Sequence, residues 1–358
     1  MHETETTQCY ACQAVLTKDD CASPRYVPGR SCPYCHRTDA ELTQALVEKR
    51  NAELARLTNP LPGSIPYENR RPLSVPERFD RTPVLAFLEG MKTVVSRAGW
   101  LAELAAGRVR MQDRPVTADE ELRAGMRLEY VMPAATEPPV SAELRVLHED
   151  DAIVVLDKPA PLPMHPCGRF NRNSLQHFIE QLYPKLKLRP AHRLDANTSG
   201  VVVCAKTRAV ARELQPQFEQ GRVKKTYLAR VCGSPAEDAF ECTAPISREP
   251  SAVGARVIDA KGLPAHTRFR VKERHENGTT LLEVEPLTGR TNQIRLHLHH
   301  LGMPIIGDPL YLPDGAFGTS QTLRPAEPPL CLHAAALEFT HPQTKETVRF
   351  ISPSPSWV

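Results

Sequence analysis

The segment Ala191-His-Arg-Leu-Asp-Ala-Asn-Thr-Ser-Gly-Val201, which passes straight into the apolar run Val201-Val-Val-Cys204, narrows the possible folds of this chain more than any other stretch. The β-branched run reads as a buried strand. The polar turn before it then holds Asp195 rigidly at a pocket edge. His192 and Arg193 make that edge electropositive enough to receive a phosphate. The plainer alternative is that Asp195 caps the turn or pairs with a nearby arginine, because structural ion pairs outnumber catalytic carboxylates.

A chain of 358 residues is expected to hold two or three domains, and its 41% hydrophobic content suffices for a real core. The net charge of +3 is too small to mark a nucleic-acid partner by itself, so any such contact must come from local clustering of Arg and Lys. No run of about 18 apolar residues occurs, and the chain starts with the polar, acidic Met1-His-Glu-Thr-Glu. Neither a membrane span nor a signal peptide is expected, and the protein is expected to be cytoplasmic.

Cys9-x-x-Cys12 and Cys32-x-x-Cys35 form two knuckles spaced like a four-thiolate structural zinc site of the ribbon type. Cys21 and His36 are alternative ligands, and a redox pair is the rival reading, disfavoured because no βαβ pattern surrounds either knuckle. Four thiolates leave zinc no open position, so a thiol- or zinc-dependent enzyme centred here is excluded. Cys167, Cys204, Cys232, Cys242 and Cys331 lie in apolar or strand-like stretches and read as small hydrophobes in a reducing compartment.

The expected organisation is a zinc-ribbon-like segment with a helix from Asp39 to Leu57 (1–58), a proline-rich linker (59–73), a small domain (74–133), a second linker (134–142) and a large domain (143–358). In the small domain Val84–Leu88 and Ser96–Ala106 read as helices, Gly107–Pro115 as a hairpin and Gly125–Val131 as a strand. In the large domain Glu143–Leu147 and Ile153–Leu156 read as a hairpin, with Lys158–Pro163 as a stiff loop. Helices are expected at Ser174–Tyr183, Arg208–Gln220 and Thr291–Leu301, the last closed by Gly302. Strands are expected at Lys225–Val231, His266–Arg274 and Thr280–Glu285, the last two joined at Asn277-Gly278. This pattern predicts an α+β fold with a mostly antiparallel sheet rather than a doubly wound parallel one.

Three ordered blocks carry a family resemblance: the Asp195 segment, Lys225-Thr-Tyr227, and Gly289-Arg-Thr-Asn-Gln-Ile-Arg-Leu-His-Leu-His299 running on to Tyr311. Together they resemble the RluA family of pseudouridine synthases, which isomerise uridine in ribosomal or transfer RNA. The resemblance covers about residues 143–351, including Leu332-His-Ala-Ala-Ala-Leu-Glu-Phe-Thr-His-Pro342. It implies a mixed sheet with a central cleft, RNA as partner, no catalytic cofactor and a monomer. Residues 81–132 resemble the small RNA-binding domain first seen in ribosomal protein S-four, with Gln112-Asp-Arg in place of the usual Asn-Gly turn. Arg97, Arg108, Arg110 and Arg114 would then face phosphates, although Asp119, Glu120 and Glu121 suit an ordinary solvated surface.

By this resemblance Asp195 is the catalytic carboxylate. It would either attack the nucleotide covalently or remove the 2′ proton to give a glycal. Arg295, with Arg290 as the alternative, would hold Asp195 ionised and oriented. Tyr227 would stack on the flipped uracil and help remove its carbon-5 proton, and Arg193 would fill the vacated stack. His192, Lys225 and Arg290 are counted with Arg193, Arg97 and Arg108 among the substrate-binding residues. Gly307-Asp308 would be a structural turn. Asn292, where many family members carry histidine, is expected to touch neither the carboxylate, the tyrosine nor either arginine. His297 and His300 have helical metal spacing but no intervening glutamate, so no metal is expected there. His165, His192 and His333 read as hydrogen-bonded pocket or core residues. The rival class is a non-catalytic RNA-binding protein on a retired synthase fold.

Overall fold

A computed structural model describes residues 7–9, 14–28, 32–35, 40–91, 95–251, 254–318 and 322–358, with backbone only at 7 and 40–42. Two compact units emerge, one of residues 1–62 and 138–358, the other of residues 63–137.

The larger unit is built on a mixed ten-stranded sheet. Its main path runs Ala239–Cys242, Thr267–Arg274, Thr279–Pro286, Lys224–Cys232, Leu332–Thr340, Ser199–Ala205, Ile153–Lys158, Arg145–Glu149. Among the described strands the only parallel pairing joins Ser199–Ala205 to Leu332–Thr340. The fold is therefore the mixed, mostly antiparallel α+β class that the sequence indicates.

Ser199–Ala205 is buried on both faces from Gly200 onward, as an unbroken β-branched run requires. Gly200 makes its parallel pairing possible. Its φ is +117°, and a Cβ there would stand 2.2 Å from the Ala334 carbonyl oxygen, so only glycine lets the two backbones meet. The Asp195 turn is thus fixed at the head of the most buried strand.

Helices pack against the sheet through apolar faces set by their spacing. Leu175–Leu182 starts on Ser174, whose Oγ accepts from the His177 N–H, and buries Leu175, Phe178, Ile179 and Leu182. That i, i+3, i+4, i+7 stripe is worth about 2 kcal/mol per side chain before entropy is counted. Gln293–His300 ends at Gly302 (φ +74°). The Gly302 N–H donates to the His299 carbonyl and the Met303 N–H to that of Leu298. These two bonds form the Schellman closure that a C-terminal glycine allows.

The helix Ala40–Leu57 is part of the larger unit, where the sequence suggests a separate N-terminal segment. Val47 and Leu54 join the same core as Leu175 and Leu182. Arg50, 1% exposed, donates from Nε to fully buried Glu149 at 2.9 Å. Tyr183 Oη and Lys206 Nζ reach the same carboxylate at 2.8 Å each. A buried ion of either sign is tolerated only when so paired.

In the smaller unit a four-stranded sheet runs Tyr67–Ser74, Arg127–Ala135, Val109–Met111, Arg114–Pro115, with helices Val84–Glu89 and Arg97–Ala105. Tyr67–Ser74 corrects the expected linker 59–73. It is an edge strand, where Pro72 costs no ladder bond that a central strand would need. The Gln112-Asp113 turn has φ of +50° and +63°, the two left-handed residues of a type I′ hairpin that Asn-Gly fills without strain.

Candidate active site

A cleft of about 310 Å³ opens in the larger unit. Three stretches converge on it: His192–Asp195 with Thr198 from the turn, Lys225 and Tyr227 from a central strand, and Thr288–Arg295 at the head of the Gln293–His300 helix. Residues 195, 227 and 295, far apart in sequence, thus meet at one wall.

Asp195 Oδ2 lies 3.5 Å from Arg295 Nη1. Arg295, with its side chain 5% exposed, is itself gripped by Asp308, whose two carboxylate oxygens accept from Nε and Nη2 at 2.7 Å each. Asp308 Oδ1 also accepts from the Leu310 and Tyr311 N–H groups. Burial opposes the guanidinium charge, but Asp308 and Asp195 together hold the Arg295 pKa above its ordinary value. The bidentate fork fixes the plane of the guanidinium, leaving Nη1 to face Asp195. Gly307 (φ +75°) allows this turn, since a Cβ would stand 2.0 Å from the Pro329 carbonyl oxygen. The expected structural turn at Asp308 therefore also supports the Arg295 guanidinium.

Asn292 corrects an expectation. At φ +58° it opens the helix, its Oδ1 accepts from Arg295 Nη1 at 3.2 Å, and its Nδ2 donates to Tyr311 Oη at 3.3 Å. The Tyr311 ring lies 5.2 Å beneath the guanidinium.

His192 does not add charge to the pocket edge as expected. Its Nε2 accepts from the Val203 N–H at 3.3 Å, and its ring stacks on Phe218 at 4.5 Å. Burial, with some help from Lys225, pushes its pKa down to about 3, so the imidazole is neutral. Lys225 donates to the Thr288 carbonyl at 3.4 Å, and burial lowers its pKa. Arg193 is exposed at the cleft. Arg290 is exposed too and donates to the Pro264 carbonyl at 3.0 Å. Of the two candidate arginines it is Arg295 that faces Asp195. Burial, then the charge of Asp195, raises the Tyr227 phenol above its ordinary pKa, so the hydroxyl stays protonated.

Lys158, which the sequence reading left in a stiff loop, is fully buried. Its Nζ donates to the carbonyls of Pro159, Leu162 and Ala196 at 2.9, 2.9 and 3.2 Å. It ties that loop to the residue following Asp195. Burial lowers its pKa to about 7 against the pull of Asp195 and Asp157. It is the last residue of the strand Ile153–Lys158, two residues beyond the end expected from the sequence.

His297 bonds through both ring nitrogens, to Thr267 Oγ1 and the Ala244 carbonyl, at 2.9 Å each. That satisfies it without a metal.

In the smaller unit Arg97 and Arg114 pair with Glu89 and Glu120. Arg108 donates to both oxygens of Glu103 at 2.6 and 2.8 Å. Arg110 donates to the Gly107 carbonyl.

Near the N-terminus the thiols of Cys9, Cys32 and Cys35 lie within 4.8 Å of one another. Cys12 and His36, expected ligands or alternatives, lie outside the described residues. The Sγ separations are 3.5 Å for Cys9–Cys35 and 3.7 Å for Cys32–Cys35. A tetrahedron with Zn–S bonds of about 2.3 Å has an edge of roughly 3.8 Å. The N–H groups of Cys32 and Tyr34 point at Cys35 and Cys32 sulfur, an arrangement that favours thiolate charge.

A cleft that sets a partly exposed carboxylate against a clamped guanidinium, beside a protonated tyrosine, suits an enzyme acting by acid–base or nucleophilic chemistry on an anionic substrate. Comparison with known proteins gives the class a name. Residues 152–300 match the RNA pseudouridylate synthase family. The chain is 33% identical to an uncharacterized RNA pseudouridine synthase of Synechocystis sp. over 261 residues, covering 72% of this chain and 89% of that protein. It is 38% identical to the dual-specificity RNA pseudouridine synthase RluA of Escherichia coli K12 over 221 residues, covering 61% of this chain and 96% of that protein. It is 36% identical to human pseudouridylate synthase RPUSD2 over 214 residues, which cover 59% of this chain and 38% of the human protein's length. The chain belongs to the RNA pseudouridylate synthase family.

Proposed function

We propose that this protein isomerises uridine to pseudouridine in structured ribosomal or transfer RNA, with Asp195 as the reacting carboxylate. The reaction breaks the bond from ribose C1′ to uracil N1, turns the base and joins C1′ to C5. C5 loses a proton and N1 gains one, so the step needs no oxidant and no catalytic cofactor. The target base is hidden in a stem and must be flipped out, at a cost of a few kcal/mol.

The observation that carries this reading is the 3.5 Å approach of Arg295 Nη1 to Asp195 Oδ2, with Asp308 holding the guanidinium from behind. Asp195 is thereby oriented beside the space for the nucleotide, and Tyr227 lines the same cleft. Tyr227 stacks on the uracil and assists loss of the C5 proton, Arg193 fills the gap in the RNA stack, and Lys225 and Arg290 receive phosphate. His192 acts as a neutral support for the turn. The unit 63–137 binds RNA through Arg97 and Arg108 by exchanging their carboxylate partners for phosphates. The protein works as a cytoplasmic monomer. Among the described residues no helix is long and apolar enough to cross a membrane.

Tritium release from RNA labelled at uracil C5 tests the activity. The parent is expected to release tritium and Asp195→Ala to release none. RNA bound equally by both proteins without release would leave only the retired-synthase reading.

A structural zinc ion belongs to the same reading, held by Cys9, Cys32, Cys35 and Cys12. It would fasten the knuckles to the helix Ala40–Leu57, where Leu46 shares a core with Cys9 and Cys32. Purified protein is expected to contain one zinc per chain, lost in Cys32→Ser. A metal-free parent with unchanged thermal stability would remove it.

A further inference from the structure

The Asp195 turn holds three consecutive polar side chains, and they are treated differently. Asn197, 1% exposed, uses Oδ1 to accept from the Leu323 N–H at 3.0 Å. Ser199 Oγ bonds His333 Nδ1 at 2.8 Å. Thr198 between them is 2% exposed, yet its Oγ1 has no hydrogen-bond partner among the described residues. Thr198 alone of the three lines the cleft. Its own N–H donates to the Asp195 carbonyl at 3.1 Å, so the hydroxyl is held at a fixed offset from the carboxylate. Burying an unpaired hydroxyl is unfavourable, and valine would fill the same volume without that penalty. An orphaned polar group in the wall of a binding cleft is explained when the ligand supplies the partner.

We propose that Thr198 is a substrate-recognition residue, whose hydroxyl forms a hydrogen bond with a polar group of the extruded uridine as it settles beside Asp195. The inference rests on the reading of the cleft as a uridine isomerase site. A hydroxyl both donates and accepts, so it suits either the N–H and carbonyl edge of uracil or the ribose 2′-hydroxyl. It makes no covalent bond and moves no proton. Its effect is on how firmly the nucleotide is held, and an apolar pocket wall would accept a wrongly turned base as readily as a correct one.

The experiment compares the parent with Thr198→Val and Thr198→Ser by tritium release from C5-labelled RNA, by RNA binding and by thermal melting. One neutral hydrogen bond corresponds to about a tenfold change. Thr198→Val is expected to melt at or above the parent temperature and to lose about tenfold in kcat/KM, with Thr198→Ser restoring most of it. Replacing the target nucleotide by 2′-deoxyuridine or by 3-methyluridine identifies the partner. With the right one, the parent loses the same factor and Thr198→Val loses nothing more. Parent-like kcat/KM in Thr198→Val overturns the proposal. So does a lowered melting temperature that explains the loss and that serine does not rescue, whereas full additivity with both altered nucleotides assigns the bond to a uracil carbonyl. A parent inactive on every RNA would instead be a failure of the isomerase reading itself.

Discussion

Arg295 and Arg108 each grip a carboxylate with two teeth, at 2.7 and 2.7 Å to Asp308 and at 2.6 and 2.8 Å to Glu103. The geometry is nearly the same and the energetics are opposite. The Arg295 and Asp308 side chains are 5% and 1% exposed, those of Arg108 and Glu103 36% and 19%. A buried pair cannot be opened without stranding a charge in a poor solvent, whereas water replaces either partner of an exposed pair at little cost. The larger unit therefore uses its arginine to build a fixed surface for Asp195. The smaller unit holds arginines whose partners water can replace.

The largest effect should come from the one acidic group in this network that is open to the cleft. Asp195→Asn keeps the shape and removes the charge, and isomerisation is expected to fall by about 10³-fold. Because Asp195 is partly exposed while Arg295 keeps Asp308, urea unfolding should shift by less than about 1 kcal/mol. A large loss of stability would mean that Asp195 belongs to the buried pair.

Asp308→Asn reverses that balance. It strands Arg295 behind the cleft and is expected to cost about 3 kcal/mol of stability, read by urea denaturation, with activity falling because the guanidinium loses its clamp. Stability unchanged within about 0.5 kcal/mol would place this pair in the same class as Arg108–Glu103.

Histidines sharpen the point, because a buried cation without a carboxylate gives up its proton. His192 and His333 are held by burial at about 3 and about 4, and for His192 the Lys225 charge adds to this. In the unfolded chain both titrate near 6.5. Between roughly pH 6.5 and 4.5 the unfolded chain binds more protons than the folded one, so stability is full above 6.5 and declines as pH falls. The decline is expected to be on the order of 5 kcal/mol at pH 4.5, about half from each histidine. It should shrink in His192→Gln, and a slope that His192→Gln leaves unchanged would contradict a neutral His192.

What the sequence disclosed follows from the same distinction between local and distant partners. Asp195, Tyr227 and Arg295 could be singled out because each stands in a contiguous block of this sequence, and the structure sets all three on one cleft. The central strand was legible from Val201-Val-Val-Cys204 alone. Lys158 was not, since a lysine before Pro159 looks like solvated loop until the carbonyls of Leu162 and Ala196 are seen around it. Arg50 carries no signal of burial within its own helix, because its partner Glu149 is 99 residues away. His192 reads correctly as a hydrogen-bonded pocket residue, but the charge expected of it was not to be had, because Phe218 and the Val203 N–H that pack on it lie on other elements. The strand Tyr67–Ser74 was hidden by prolines, and only its edge position reconciles Pro72 with a sheet.

The smallest effect on stability is expected at Arg108, and it is the one that decides what the smaller unit is for. Arg108→Ala should alter unfolding by less than about 0.5 kcal/mol, since the Glu103 carboxylate it releases is partly hydrated. If Arg108 exchanges Glu103 for a phosphate, removing it should weaken RNA binding several-fold without regard to sequence, and make the dependence of log K on log salt shallower by about one. Glu103→Gln should act in the opposite direction, freeing the guanidinium and tightening RNA binding at low salt. Unchanged salt slopes in both variants would show that Arg108–Glu103, although exposed, is a structural pair like its buried counterpart, and would leave RNA affinity to the larger unit.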